Sequence, residues 1–191
     1  RFRKLFETEV PEITDGTVEI KEVSREAGSR TKIAVYSADE NVDAVGACIG
    51  PRGARVAKVV DLLNGEKIDI VPYSDDPALF VGAALAPADV IRVDILSEEE
   101  HSCKVIVPDT QLSLAIGNKG QNVRLAAKLT GYKIDIKSET QAKDAPGFRY
   151  EDYEDDEYYE EEYEEEYLDE EEMAEDADAE YEEAVEEDTQ E

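Results

Sequence analysis

One short motif occurs twice in this chain, and its repetition constrains the fold more than any other feature. Ile49-Gly50-Pro51-Arg52-Gly53 and Ile116-Gly117-Asn118-Lys119-Gly120 share an isoleucine, two glycines and a basic residue at fixed positions, 67 residues apart. Each copy leads into a helix-like stretch that ends in Lys-Ile-Asp-Ile, at 67–70 and again at 133–136. A long repeat of this kind predicts two similar units in tandem.

The hydrophobic pattern around the motif predicts the same order of elements in both copies: helix, strand, strand, helix, Gly-x-x-Gly turn, helix, strand. In the first copy, these elements are predicted at residues 1–8, 17–25, 31–37, 41–49, 54–63 and 67–71. In the second copy, they are predicted at 77–85, 90–96, 103–107, 109–116, 121–129 and 132–137, with Asp109 as the N-cap of its second helix. The domains are therefore placed at residues 1–74 and 75–140.

The charge of the chain is divided unevenly along its length. The net charge is −30, from 20 basic and 50 acidic residues. Residues 150–191 hold 26 of the acidic residues and none of the basic ones, so residues 1–149 carry only −4. Residues 141–191 are predicted to be a disordered, tyrosine-containing acidic tail, because like charges with little aliphatic content cannot offset the entropy of ordering. Three roles stay open for this tail: solubilising the chain, folding back over the basic turns, and docking a basic partner.

The Gly-x-x-Gly turns have the chemistry of a phosphate contact. A helix N-terminus presents unpaired N–H groups and a positive dipole end, and glycines let a phosphate approach the backbone. A tight helix–helix turn without a ligand would also use glycine, but a basic residue in both copies favours anion binding. With the isoleucines as an apolar floor, the expected groove for one nucleic-acid strand is formed by Ile49, Gly50, Pro51, Arg52, Gly53, Arg55 and Lys58 in the first copy, and by Ile116, Gly117, Asn118, Lys119, Gly120, Arg124 and Lys128 in the second. Pro51 lacks an N–H donor, so the second turn is expected to be the stronger clamp.

This frame resembles the KH domain, whose Gly-x-x-Gly loop clamps about four backbone nucleotides. Residues 5–13 and 43–56 are similar to the first KH domain of the NusA family of transcription termination and antitermination factors, and residues 111–126 to the second. The resemblance implies an α+β fold with two type II KH domains, each α-β-β-α-α-β with a three-stranded sheet. It also implies binding of single-stranded RNA in the nascent transcript, in a cytoplasmic bacterial factor that is expected to be monomeric.

Two departures limit what the resemblance implies: domains that family members carry before the KH pair are missing, and some relatives have folded acidic repeats where this sequence has its predicted disordered tail. Family members carry an RNA-polymerase-binding domain and an S1 domain before the KH pair, and neither is in this sequence. Contacts with RNA polymerase and with other Nus factors are therefore expected mostly through those domains. The sequence begins at Arg1 and not with methionine, which predicts that it is a piece of a longer protein.

Other chemistries are less well supported. The single histidine, His101, lies in a polar turn, and one histidine cannot complete a nucleophilic triad. Cys48 and Cys103 lie in apolar surroundings without metal-ligand spacing, so they are expected to be buried thiols. No phosphate-binding loop of the P-loop type, calcium loop or signal peptide is visible, and no apolar run is long enough to span a membrane. We therefore expect no enzyme, cofactor or metal site. The alternative function is a KH-fold protein-interaction module, whose tail docks a basic partner or inhibits RNA binding.

Overall fold

The computed structural model describes residues 1–144. Most of the predicted tail of residues 141–191 lies outside this range, but residues 141–144 are helical, contrary to the prediction that the tail begins at residue 141. Within residues 1–144, no helix combines the length and the apolar character needed to cross a membrane. Apart from Asn118–Gly120, both copies of the repeat belong to one compact unit.

The first copy begins with two helices that precede its sheet. Phe2 and Phe6 are one helical turn apart and are both buried, which fixes the inner face of the first helix. That helix ends before Pro11, which occupies the first position of the next helix, where its missing N–H is harmless. The elements are α1 (Phe2–Glu9), α2 (Pro11–Thr14), β1 (Glu19–Glu26), β2 (Arg30–Tyr36), α3 (Ala44–Ile49), a 3₁₀ turn (Pro51–Gly53), α4 (Ala54–Leu62) and β3 (Lys67–Pro72).

The second copy repeats this order without a counterpart of α2, and it adds a 3₁₀ turn after its second strand and a helix at its end. Asp76 caps its first helix, since the carboxylate of Asp76 accepts a hydrogen bond from Ala78 N–H. The elements are α5 (Pro77–Ala84), β4 (Arg92–Ser97), β5 (Ser102–Val107), a 3₁₀ turn (Asp109–Gln111), α6 (Leu112–Ile116), a second 3₁₀ turn (Asn118–Gly120), α7 (Gln121–Thr130), β6 (Lys133–Ser138) and α8 (Glu139–Asp144).

Each copy forms a three-stranded sheet with the same topology. β1 pairs antiparallel with β2, and β2 pairs parallel with β3. In the second copy β4, β5 and β6 pair in the same way. The registers also agree, because Lys32 lies opposite Asp69 in the first sheet and Lys104 lies opposite Asp135 in the second. The predicted α+β class, with two three-stranded sheets, is confirmed.

The second copy packs on the sheet of the first. Helix α7 lies against β1 and β2, and α5 lies against β3. The side chain of Lys32 on β2 is fully buried, with its Nζ 2.9 Å from Asp69 Oδ2 and 2.6 Å from the carbonyl oxygen of Ala86. Arg30 also pairs with Asp69, at 2.8 Å. The sheet of the first copy is thus joined to the second by apolar packing and by a buried ionic network.

One predicted local feature is wrong. Asp109 does not cap the helix that ends at Ile116, because it lies inside the 3₁₀ turn that follows Pro108. Its carboxylate instead accepts hydrogen bonds from the N–H and the hydroxyl of Thr140, at 3.0 and 2.5 Å. The residue therefore ties the start of α6 to α8, a helix that the hydrophobic pattern does not predict.

Candidate nucleic-acid interface

The two Gly-x-x-Gly turns have nearly the same backbone conformation. Gly50 has φ 74° and ψ 172°, and Gly117 has φ 79° and ψ 169°. This region of backbone space is essentially restricted to glycine, since a Cβ atom would clash there. The first glycine of each motif is therefore required by the shape of the turn.

The basic residue of each turn is also in an unusual conformation. Arg52 has φ 55° and ψ 28°, and Lys119 has φ 52° and ψ 33°, both in the left-handed region. That region costs an L-residue with a Cβ atom roughly 1–2 kcal/mol. A strained non-glycine residue at the same point of two turns suggests that its side chain has a role there. The basic residue predicted inside each turn is therefore also the residue with the unusual backbone conformation.

The residue five positions after the first glycine donates a hydrogen bond to the helix that precedes the turn in each copy. In the first copy this residue is Arg55, which donates to the carboxylate of Glu12 at 2.8 Å and to the carbonyl of Ala47 at 2.7 Å. The predicted phosphate-binding guanidinium of Arg55 is therefore already bonded within the domain. It connects α3, which ends at the turn, to α2.

Asn122 occupies the same position in the second copy and is not among the predicted site residues. Its side-chain amide donates to the carbonyls of Leu85 and Ala115, at 3.0 and 2.9 Å, and the residue is only 3% exposed. A Cβ added at Gly117 would lie 2.7 Å from Asn122 Cβ and from its backbone nitrogen. The equal spacing from the first glycine is the sequence signal that could have identified Asn122.

Two other predicted basic residues have carboxylate neighbours. Lys58 on α4 is 3.3 Å from Glu9 and keeps a side chain that is 63% exposed. Arg124 on α7 pairs with Glu26 of the first copy, through its Nε at 2.7 Å. Arg52, by contrast, is exposed and forms no ion pair with any carboxylate of residues 1–144. Among the predicted residues of the first turn, Arg52 is the one whose charge is available.

Lys128 lies at the other end of α7 from the second turn. It lines a cleft of about 370 Å³ that Glu22, Tyr73, Phe80 and Tyr132 also line. Eight residues separate Lys128 from Gly120 in the sequence, which corresponds to about 12 Å along a helix. The structure therefore places Lys128 between the two copies, apart from the residues that follow the turn directly.

The two isoleucines of the motif differ in exposure. Ile49 is 38% exposed, whereas Ile116 is 5% exposed. An apolar surface at the predicted groove is therefore available from Ile49 in the first copy. Ile116 supports the second turn from within the core.

The two cysteines and the single histidine are the other side chains that the sequence offered as candidates for reactive chemistry. Cys48 and Cys103 are free and buried, and burial raises their pKa to about 11 and about 12. Within residues 1–144, no group of three His, Cys, Asp or Glu side chains could hold a metal ion. The ring of His101 stacks on Tyr132, with 5.1 Å between the ring centroids.

Two family models match the chain, in the order that the repeat predicts. The model of the NusA-like first KH domain matches residues 1–73, and that of the NusA-like second KH domain matches residues 77–144. Among solved structures, the crystal structure of APE1850 has a similar fold, with a TM-score of 0.51 and 23% sequence identity. That similarity covers 72% of this chain and 96% of APE1850.

Several curated relatives are similar over the same part of the chain. The transcription termination/antitermination protein NusA of Bacillus subtilis is 61% identical over 155 residues, which are 81% of this chain and 42% of the relative. The protein of that name from Halalkalibacterium halodurans is 61% identical over 74% of this chain and 37% of the relative, and that from Mycobacterium bovis is 58% identical over 72% and 40%. The chain thus spans about two fifths of the length of these relatives. With both KH models matched in order and identities near 60%, the chain belongs to the NusA family.

Proposed function

We propose that this chain binds single-stranded RNA through its two Gly-x-x-Gly turns, within a factor that acts in transcription pausing, termination and antitermination. The observation that carries the proposal is the shared conformation of the turns, with Arg52 and Lys119 in the left-handed region between two glycines of positive φ. Such turns allow the close backbone approach that a phosphate requires.

The residues predicted at the interface have different roles in this proposal. Gly50, Gly53, Gly117 and Gly120 shape the turns, and Arg52, Asn118 and Lys119 contact phosphates. Ile49 contributes apolar surface, while Arg55 holds the first turn in place through Glu12 and Ala47. Lys58, Arg124 and Lys128 add positive charge on the helices that follow.

The wider role rests on the names of the relatives, which are termination and antitermination proteins. Their work on transcripts implies a cytoplasmic location and an association with the transcription machinery. Contacts with RNA polymerase and with other Nus factors would use segments of those longer proteins that this chain does not cover. We propose that the chain acts as a monomer that contributes the RNA-binding surface.

The proposal is tested by reversing charge in the turns one at a time. Replacing both Asn118 and Lys119 by Asp is expected to lower the affinity for a fluorescent single-stranded RNA pool at least 10-fold, because a phosphate would meet two carboxylates. Arg52→Asp is expected to have a smaller effect, since Pro51 already removes one donor from the first turn. Anisotropy titrations at several salt concentrations provide the measurement, with a slope of about −0.7 per phosphate contact.

A matched control uses Lys133, an exposed lysine at the start of β6, at the far end of α7 from the turn. Lys133→Asp makes the same charge change as Lys119→Asp, one unit less than the double variant, and should leave RNA affinity within about twofold. Circular dichroism shows whether each variant keeps its fold. Normal RNA binding by the folded Asn118→Asp, Lys119→Asp variant would contradict the proposal and favour the protein-interaction alternative.

A further inference from the structure

The hairpin of the first KH domain makes direct contact with the helix that follows the second turn. Glu26 ends β1, and its two carboxylate oxygens accept different donors from α7. Oε1 accepts from Arg124 Nε at 2.7 Å, and Oε2 accepts from Gln121 Nε2 at 2.6 Å. Gln121 Nε2 also lies 2.7 Å from the hydroxyl of Ser29, in the hairpin loop. Two side chains within the first four residues of α7 are therefore held by a carboxylate from the other domain.

This arrangement uses the interactions that a phosphate would use. A negative group lies against the first turn of a ten-residue helix, where the helix dipole is positive. It accepts one charge-assisted bond from a guanidinium and one bond from an amide. The bond from Arg124, followed by that from Gln121, holds the pKa of Glu26 below its ordinary value.

The first copy lacks this contact at the corresponding positions. Gln121 and Arg124 are the first and fourth residues after the second Gly-x-x-Gly motif, and Ala54 and Ala57 are the first and fourth after the first motif. Alanine offers no polar side chain to a carboxylate or to a phosphate. The polar pair is therefore particular to the helix after the second turn, and Glu26 is the anion placed on it.

We propose that Glu26 competes with the RNA backbone for Arg124 and Gln121 and so limits the RNA affinity of the second turn. The inference rests on the proposed function, because it assumes that the strand reaches the start of α7. Glu26 holds Arg124 through its Nε, so an RNA phosphate competes with Glu26 for that donor and for the positive charge of the guanidinium. By thermodynamic linkage, RNA binding at the second turn then weakens the bonds from α7 to Glu26 of the first domain.

The test removes the charge of Glu26 with little change in shape. Glu26→Gln is expected to tighten RNA binding about 2- to 5-fold, the range set by loss of a partly exposed ion pair. The slope of log affinity against log salt should become steeper by about 0.7, which is one additional phosphate contact. Both quantities come from anisotropy titrations of the whole chain with a labelled single-stranded RNA pool.

Two further variants separate competition from general electrostatics. Glu22 is an exposed carboxylate on the same strand and pairs with no basic side chain of residues 1–144, so Glu22→Gln should change affinity less than Glu26→Gln does. In an Arg124→Gln background, Glu26→Gln should have a clearly smaller effect, because the charged one of the two contested donors is gone and only Gln121 remains. Equal effects of the two glutamate variants, or an undiminished effect in the Arg124→Gln background, would overturn the inference.

Weaker RNA binding by Glu26→Gln would also overturn it, since Glu26 would then be positioning α7 for RNA. The charge reversal at Asn118 and Lys119 distinguishes this failure from failure of the proposed function. If that reversal abolishes binding while Glu26→Gln leaves affinity and salt slope unchanged, RNA binds at the second turn without competition from Glu26. If the reversal has no effect, RNA does not use the second turn, and the inference fails together with the proposed function.

Discussion

The opening glycines of the two turns, Gly50 and Gly117, share a conformation but have different neighbours. A Cβ at Gly50 would lie 2.5 Å from Arg55 Cγ, in a long side chain that can move. A Cβ at Gly117 would lie 2.7 Å from the backbone nitrogen of Asn122, which α7 holds in place. At Gly53, which is in the left-handed region, an added Cβ would meet nothing within 4 Å. A Cβ atom therefore meets a movable side chain at Gly50, fixed backbone at Gly117 and open space at Gly53.

Alanine substitutions at these glycines should follow that order. Gly53→Ala should cost only the left-handed strain, about 1 kcal/mol. Gly50→Ala should cost more, because the backbone of Gly50 is in a region essentially restricted to glycine and the new Cβ also displaces Arg55. Gly117→Ala should cost most, about 3 kcal/mol, because backbone must move as well. Urea unfolding of the three variants measures the differences. Equal losses at all three positions would show that the close contacts at Gly50 and Gly117 relax without cost.

At the scale of helices and strands, the repeat made most of the fold predictable. Each predicted element of the first copy had a counterpart in the second, so the hydrophobic pattern of each copy supported the secondary structure assigned to the other. The partners of the charged side chains were not predictable in the same way. Arg55 meets Glu12 across 43 residues and Arg124 meets Glu26 across 98, so their contacts depend on the packed domains. The turns could be recognised from the local sequence, but the carboxylate partners of Arg55 and Arg124 could not.

Asn122 provides a test of how the second turn is held between its helices. Its amide satisfies the carbonyls of Leu85 and Ala115, and both bonds are buried. Asn122→Ala leaves these two acceptors without that donor, which should lower the free energy of unfolding by about 1–3 kcal/mol. Arg55→Ala at the same position of the first copy is the matched comparison, and we expect a smaller loss because Arg55 is partly exposed. Unchanged urea unfolding of Asn122→Ala would contradict this role.

Within residues 1–144, the two domains are joined through a fully buried lysine and its ion pair. Lys32 is fully buried between its own sheet and the carbonyl of Ala86 in the second copy, with Asp69 as its counter-ion. Burial lowers the pKa of Lys32, and the charge of Asp69 opposes this effect. Burial alone would raise the pKa of Asp69, but the bond from Arg30 and the charge of Lys32 outweigh it, so that pKa lies below its ordinary value of 3.8. A tandem pair built in this way is expected to unfold as one unit.

Asp69→Asn tests that coupling, because it leaves a buried lysine without its counter-ion. Loss of one partner of a buried pair should destabilise the protein by about 3–5 kcal/mol. Asp94→Asn is the matched control, since Asp94 pairs with Arg92, whose side chain is 66% exposed, and should cost at most about 1 kcal/mol.

A carboxyl with a lowered folded pKa stabilises the protein above its unfolded pKa and loses that contribution as pH falls through the folded value. The gap between wild type and Asp69→Asn should therefore be full at pH 6 and shrink below pH 3.8, and urea unfolding at both pH values measures it. A gap that stays constant with pH would mean that Asp69 does not act through its charge.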